Sequence, residues 1–138
     1  MDECVFCRIL RGQIPAQKVY EDRAAVAILD INPVAPGHAL VLPRRHVETW
    51  NDLPGDLAGE LARASQTVAR AVLKATGAEG FNLLSNNHRC SGQAIPHVHL
   101  HIIPRRPGDG IKFNWVTGTY EAGQIEKVAQ AIRSALQG

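Results

Sequence analysis

The apolar positions of this chain change period along its length, and each change marks an element. Residues 97–103, His97-Val98-His99-Leu100-His101-Ile102-Ile103, alternate imidazole with aliphatic side chains. A period of two belongs to a β-strand, so the imidazoles are expected on one face and Val98, Leu100 and Ile102 on the other. This strand is expected over 96–104, between Pro96 and Pro104. Residues 18–21 and 24–30 read as two further strands with a turn at Asp22-Arg23, and 81–85 as another. Residues 38–43 read as a strand with Leu40 and Leu42 on the His38 face. A helical period appears over 56–76, where Leu57, Leu61, Ala64, Val68 and Val72 form a stripe that ends at Gly77. It returns over 121–137, with Ile125, Val128, Ala129, Ile132 and Leu136 expected inward. A short helix over 4–11, capped by Asp2 and ended by Gly12, completes the set. Strands and helices are grouped rather than strictly alternating. The expected class is α+β: a five-stranded antiparallel sheet, a meander, with a long central helix and a C-terminal helix. No repeat, linker or low-complexity tract interrupts it, so residues 1–138 read as a single domain.

Size and charge narrow the function little. A chain of 138 residues with 45% hydrophobic positions can bury a proper core. A net charge of +2 is too mild to argue for nucleic-acid binding. No apolar run reaches the roughly 18 residues that span a membrane. Three cysteines, two of them close together at Cys4 and Cys7, suit a reducing compartment better than a disulfide framework. With an acidic Met1-Asp2-Glu3 start and no apolar leader after it, the expected location is the cytoplasm.

The imidazole face carries the chemistry. Strand residues rise about 3.3 Å each, so the Cα atoms of His97 and His101 should stand roughly 13 Å apart, too far to share one ion without bending the strand. Upstream, Asn86-Asn87-His88-Arg89-Cys90-Ser91-Gly92-Gln93 is a loop by composition, with amide and backbone donors that can surround a phosphate. Cys4 and Cys7 form a Cys-x-x-Cys pair whose sulfurs share one face of a helix. The pair can be a metal half-site, a redox pair or two structural thiols; no preceding βαβ pattern supports the redox reading. A closed tetrahedral zinc site needs two more ligands, and His46 and His97 are the candidates.

These residues together resemble the histidine-triad (HIT) superfamily of nucleotidyl hydrolases and transferases, most closely its short bacterial zinc-containing members. The likeness rests on His-x-His-x-His with Gly92-Gln93 ahead of it. It extends through Phe6, Ile14-Pro15, Tyr20-Glu21-Asp22, Leu29-Asp30-Ile31, Pro36-Gly37-His38 and Pro43-Arg44-Arg45-His46 to Trp115. The resemblance implies a HIT-like fold and a structural zinc on Cys4, Cys7, His46 and His97. It implies His99 as nucleophile, with His101 and Gln93 as further catalytic residues and Asn86 toward the phosphates. Asp30 would take the ribose hydroxyls. Phe6, Ile9, Ile14, Leu29 and Ile31 would wall the base, and the purine preference is inherited from the family. His38 is open between a place near the phosphates and a structural role. Arg44, Arg45, Arg105 and Arg106 are open between polyphosphate contacts and plain surface. One departure is Ala94, where family members often carry Ser or Thr, so a hydroxyl toward the leaving group is missing.

The leading expectation is therefore an enzyme. It would cleave a nucleoside 5′-phosphoramidate, an adenylate or a dinucleoside polyphosphate through a nucleotidyl-His99 intermediate, with phosphorolysis as a variant. A non-catalytic nucleotide- or partner-binding module and a zinc hydrolase using metal-bound water are the competing readings. The resemblance also implies a homodimer, with Trp115 and the C-terminal region reaching the partner's site, a purine nucleotide or dinucleotide as substrate, and no nucleic-acid or membrane partner.

Overall fold

The structure is a computed structural model that describes residues 3–138. Its strands are β1 (Lys18–Glu21), β2 (Ala25–Leu29), β3 (Ala39–Pro43), β4 (Gly80–Leu84) and β5 (Leu100–Arg105), and its helices α1 (Val5–Leu10), α2 (Leu57–Thr76) and α3 (Gln124–Gln137). Every strand pairing is antiparallel. Among the described residues no helix is long and apolar enough to cross a membrane.

The expected meander is corrected in one respect: the sheet order is β1-β2-β3-β5-β4. The last strand inserts between β3 and β4, and α2 spans the connection from β3 to the far edge. Leu40 and Leu84 flank His101 in register, so that histidine sits inside the sheet rather than at an edge.

Alternation along β2 and β3 sends side chains to two cores. Ala25, Ala27, Ala39 and Val41, with Leu100 and Ile102, face Leu61, Ala64, Val68, Ala69 and Val72 of α2. Small alanines on this face let the long helix lie close to the sheet. Val26, Ile28, Leu40 and Leu42 face Phe6, Cys7 and Ile9 of α1. The site lies on this second face, where a helix of only six residues leaves room beside it. Gly37, with a φ of 97°, precedes β3 at a point where a side chain would come 2.7 Å from Thr76 of α2. Gly77, left-handed at φ 70°, closes α2 through its N–H to the Leu73 carbonyl.

Three local expectations change. Asp2 lies outside the described residues; the residue that caps α1 is Cys4, whose Sγ accepts the Cys7 N–H at 3.4 Å. The ladder of β5 begins at Leu100, not at residue 96, because Val98 N–H bonds the Val47 carbonyl at 2.7 Å instead of a strand. Helix α3 forms, but its apolar stripe is not inward. Ile125, Val128, Ile132 and Leu136 are 52%, 37%, 56% and 81% exposed. Residues 110–121 carry no helix or strand and lead α3 away from the sheet.

Candidate nucleotide-cleavage site and Cys–His cluster

Between α1, the Ile14–Ala16 stretch and β2 lies a cleft of about 410 Å³, lined by Phe6, Ile14, Leu29, Asp30, Ile31, His99 and His101 among others. The apolar wall and two histidines that the sequence singled out therefore meet in one place. Ile31 stands at the mouth, 87% exposed. Leu40 and Ile95 add to the lining. Leu40 was legible from its place on the His38 face; Ile95, in a loop, had no periodic signal. Three expected residues stand outside the lining. His38 lies behind His101. Asn86 sets its amide beside Gly92. Gln93 is buried, with both polar atoms of its side chain engaged by the protein.

Although 97–99 is not a ladder strand, its imidazoles stay on one side. Phe6 packs edge-on against His97 and His99, with ring centroids 5.7 and 5.0 Å away, and His99 lies 4.9 Å from His101. A carbonyl oxygen only accepts hydrogen bonds, so its contacts fix which ring nitrogen carries the proton. His99 donates Nδ1–H to the His97 carbonyl at 2.7 Å, which leaves a lone pair on Nε2. His97 donates Nε2–H to the Pro43 carbonyl at 2.9 Å, which leaves its lone pair on Nδ1. His38 accepts the Val34 N–H on Nδ1 at 3.1 Å, so its proton sits on Nε2 and is donated to His101 Nδ1 at 2.9 Å. The proton of His101 then resides on Nε2. Sequence reasoning missed Val34 and Pro43 because their contribution is backbone, which no residue type announces.

Burial disfavours the charged form of these rings. It lowers the His99 pKa below 6.5, against the His97 carbonyl and Asp30, which raise it. Burial lowers His101 to about 4, helped by His99 and His38 and opposed by Asp30. His38 is lowered by burial as well, with Asp30 opposing. A neutral imidazole with a free nitrogen in an apolar cleft is a nucleophile that needs no general base.

At the other end of the row, Cys4, Cys7, His46 and His97 bring their donor atoms within 4.8 Å of one another. Cys4 Sγ and Cys7 Sγ lie 3.5 and 3.6 Å from His97 Nδ1. His46 Nδ1 lies 3.3 Å from Cys7 Sγ and 3.2 Å from His97 Nδ1. Tetrahedral bonds of about 2.3 Å to sulfur and 2.0–2.1 Å to nitrogen put S···N edges near roughly 3.6 Å and N···N edges near about 3.3 Å. The cluster fits a single tetrahedral ion, and the His97 lone pair points at it. Burial and the neighbouring Cys4 raise the Cys7 pKa, a crowding of thiols that a bound cation would relieve.

Asp30, His38 and His101 also lie within that mutual distance, yet they differ in kind. His38 uses its only lone pair on Val34 N–H. Its Nε2 therefore carries a proton toward the cluster rather than a ligand. Three of the four arginines left open by the sequence, Arg44, Arg105 and Arg106, are bonded by protein groups. Arg44 bonds Glu21 and the Asp22 carbonyl, Arg105 bonds Asp109 and Asn82, and Arg106 bonds the Thr76 and Gly77 carbonyls at the end of α2.

A cleft with a neutral, carbonyl-oriented imidazole beside a Cys₂His₂ cluster, on a five-stranded α+β sheet, defines a histidine-triad protein. The chain belongs to the HIT family: the HIT domain model matches residues 11–108. It is 43% identical over 108 residues to an adenylylsulfatase of Arabidopsis thaliana, covering 78% of this chain and 55% of that protein. It is 33% identical to the adenosine 5′-monophosphoramidase of Schizosaccharomyces pombe, covering 97% of this chain and 98% of that one. Among solved structures, a Bacillus subtilis HIT protein superposes with a TM-score of 0.89 at 37% identity, with 96% of both chains covered. A zinc-bound histidine-triad protein of Mycobacterium smegmatis does so at 0.77 and 35% identity, with 98% of both covered.

Proposed function

We propose that this protein is a nucleotidyl hydrolase acting on a purine nucleoside 5′-phosphoramidate, an adenylate or a dinucleoside polyphosphate through covalent nucleotidyl-His99. The observation that carries the reading is the 2.7 Å bond from His99 Nδ1–H to the His97 carbonyl. It leaves Nε2 unprotonated in a cleft that also holds Asp30 and an apolar wall.

Nε2 of His99 attacks the α-phosphorus, and the bond to the leaving group breaks with its electron pair, the leaving group then taking up a proton. Water displaces His99 in a second step, releasing the nucleoside monophosphate and a proton. As phosphorus adds to Nε2 the ring becomes cationic, and the Nδ1–H bond to the carbonyl strengthens. His101 Nε2–H is the donor for charge on the phosphoryl oxygens. Its proton is held there by His38, whose role is therefore positional. Asp30 accepts the ribose hydroxyls, and Phe6, Ile14, Leu29 and Ile31 hold the base. Gln93 is buried and Asn86 stands beside Gly92, both outside the cleft lining.

Cys4, Cys7, His46 and His97 would hold zinc, as the donor set and the zinc-bound relative both favour. Bound there, the ion supplies structure: with the tetrahedron filled by protein, no position remains for a reactive water. The uncovered apolar residues of β4 and α3 favour a homodimer formed around one HIT domain per chain. The relatives named as an adenylylsulfatase and a phosphoramidase support the substrate class.

The test is trapping of the covalent intermediate, whose P–N bond is broken by acid and survives alkali. Wild type is mixed with adenosine 5′-phosphoramidate ester or diadenosine tetraphosphate, quenched with denaturant at alkaline pH, and weighed by mass spectrometry. An adenylyl adduct on His99, absent in His99→Ala, is expected. Turnover of either substrate by His99→Ala at the wild-type rate, with a chelator abolishing it, would replace this reading with metal-water hydrolysis. Binding of nucleotide without turnover would leave a binding module.

A further inference from the structure

Gln93 was expected among the catalytic residues, but its side chain faces the protein. Oε1 accepts the His88 N–H at 2.7 Å and Nε2 donates to the Glu48 carbonyl at 2.7 Å, in a residue only 7% exposed. The second contact reaches a segment that has its own pattern. His46 belongs to the Cys–His cluster. Val47 offers its carbonyl to Val98 N–H, Glu48 to Gln93, and Trp50 gives its N–H to Asn87 Oδ1 at 2.7 Å. The buried Thr49 fastens the far end through Asp52. Residues 46–50 thus run as a strap, bonded first to the cluster, then to the histidine segment, then twice to the loop 86–93.

That loop carries strain. His88 has φ 70° and ψ 158°, a conformation nearly confined to glycine. Its N–H is held by Gln93 Oε1, and its carbonyl by Ser91 and Gln93 N–H. Such a backbone persists only where its surroundings over-determine it. The loop then delivers Ala94 and Ile95 to the cleft lining beside His99, and the Ile95 carbonyl accepts His97 N–H at 2.8 Å.

We infer that Gln93 and Asn87 are positioning residues that clamp the loop 86–93 to the strap 46–50, so that order in the substrate loop depends on metal occupancy of the Cys4–Cys7–His46–His97 cluster. Gln93 touches no substrate and does no proton work. The inference rests on the proposed reading only in giving the loop a phosphate to bind; the clamp itself is a property of the folded chain.

The experiment is amide hydrogen exchange, followed with zinc content and steady-state kinetics, on wild type, Gln93→Met and Asn87→Ala. In wild type, stripping zinc with a chelator is expected to speed exchange of amides 88–94 and 47–50 by about tenfold or more, and zinc re-addition to restore both. Gln93→Met keeps the size of the side chain and removes both bonds. It is expected to bind zinc as wild type does and to exchange fast at 88–94 whether or not zinc is bound. KM should rise by about tenfold while kcat moves less. Asn87→Ala, at a half-buried site, should give the same pattern more weakly and serves if Gln93→Met does not fold. Zinc-independent exchange of 88–94 in wild type overturns the coupling. A collapse of kcat in Gln93→Met with unchanged loop exchange overturns the clamp and returns Gln93 to catalysis. If no substrate turns over but the exchange behaves as described, the proposed reaction fails and the clamp stands.

Discussion

Cys4, Cys7, His46 and His97 lie at one end of the histidine row, and Asp30, His38 and His101 at the other. By distance alone both sets can gather around a cation. They part at a single level, the placement of ring protons. His97 gives its proton to the Pro43 carbonyl and turns a lone pair toward the sulfurs. His38 spends its lone pair on Val34 N–H and turns a proton toward His101. One end presents a lone pair toward the sulfurs and the other a proton toward its neighbour, and His99 stands between them with its free nitrogen in the cleft. Two backbone groups make the difference.

The largest effect expected from testing this division is at His99. His99→Ala should lower kcat/KM by at least about 10⁴-fold while the fold, read by circular dichroism, is kept. A residual rate within tenfold of wild type would mean that the row has another nucleophile. Next is the proton-holding end. His38→Ala frees His101 Nδ1 and lets the proton leave Nε2, and should reduce kcat by about 10²-fold with zinc content unchanged. If His38→Ala instead lowers zinc content in purified protein, the two ends are not separate. At the ligating end, Cys7→Ser should reduce zinc to background and lower the melting temperature, with a smaller loss of rate than at His99. Retained zinc in Cys7→Ser would place the ion elsewhere. The smallest effect is on pH dependence. The proposed reaction uses the neutral ring of His99, and burial lowers its pKa from the usual imidazole range. The acid limb of a kcat/KM profile, where rate is lost as the ring takes up a proton, should therefore lie at lower pH than for a solvent-exposed imidazole. An acid limb centred at or above pH 7 would contradict a buried, neutral nucleophile.

The sequence shows some of this and hides the rest for identifiable reasons. The α2 stripe was read correctly because its period is long and its face is buried; β1 occupies the expected Lys18–Glu21 although it is only four residues long and mostly exposed. The cleft wall of Phe6, Ile14, Leu29 and Asp30 was also legible, since the resemblance rests on those positions. Strand order was not: β5 enters between β3 and β4 because of where α2 carries the chain, and hydrophobic period does not encode that. Helix α3 has as regular a stripe as α2 but leaves it in solvent, for a period states that a face is apolar and not what it meets. Nor could residue types foretell where the Gln93 amide points. An amide beside the triad serves a phosphate or a carbonyl equally well, and here its Nε2 meets the Glu48 carbonyl.

Cys4 deserves a last consideration as the start of α1. Its sulfur accepts the Cys7 N–H and is also one of the four donor atoms that could hold a metal, so one atom would have two employers. Helix α1 is too short to persist on its own propensity, and it brings Phe6 and Ile9 to the cleft. Serine in place of Cys4 would still cap a helix yet would bind a soft ion poorly, so the two duties come apart only by mutation. Without an ion at the cluster, the helix and the part of the cleft wall it carries would begin on the thiol's cap bond alone.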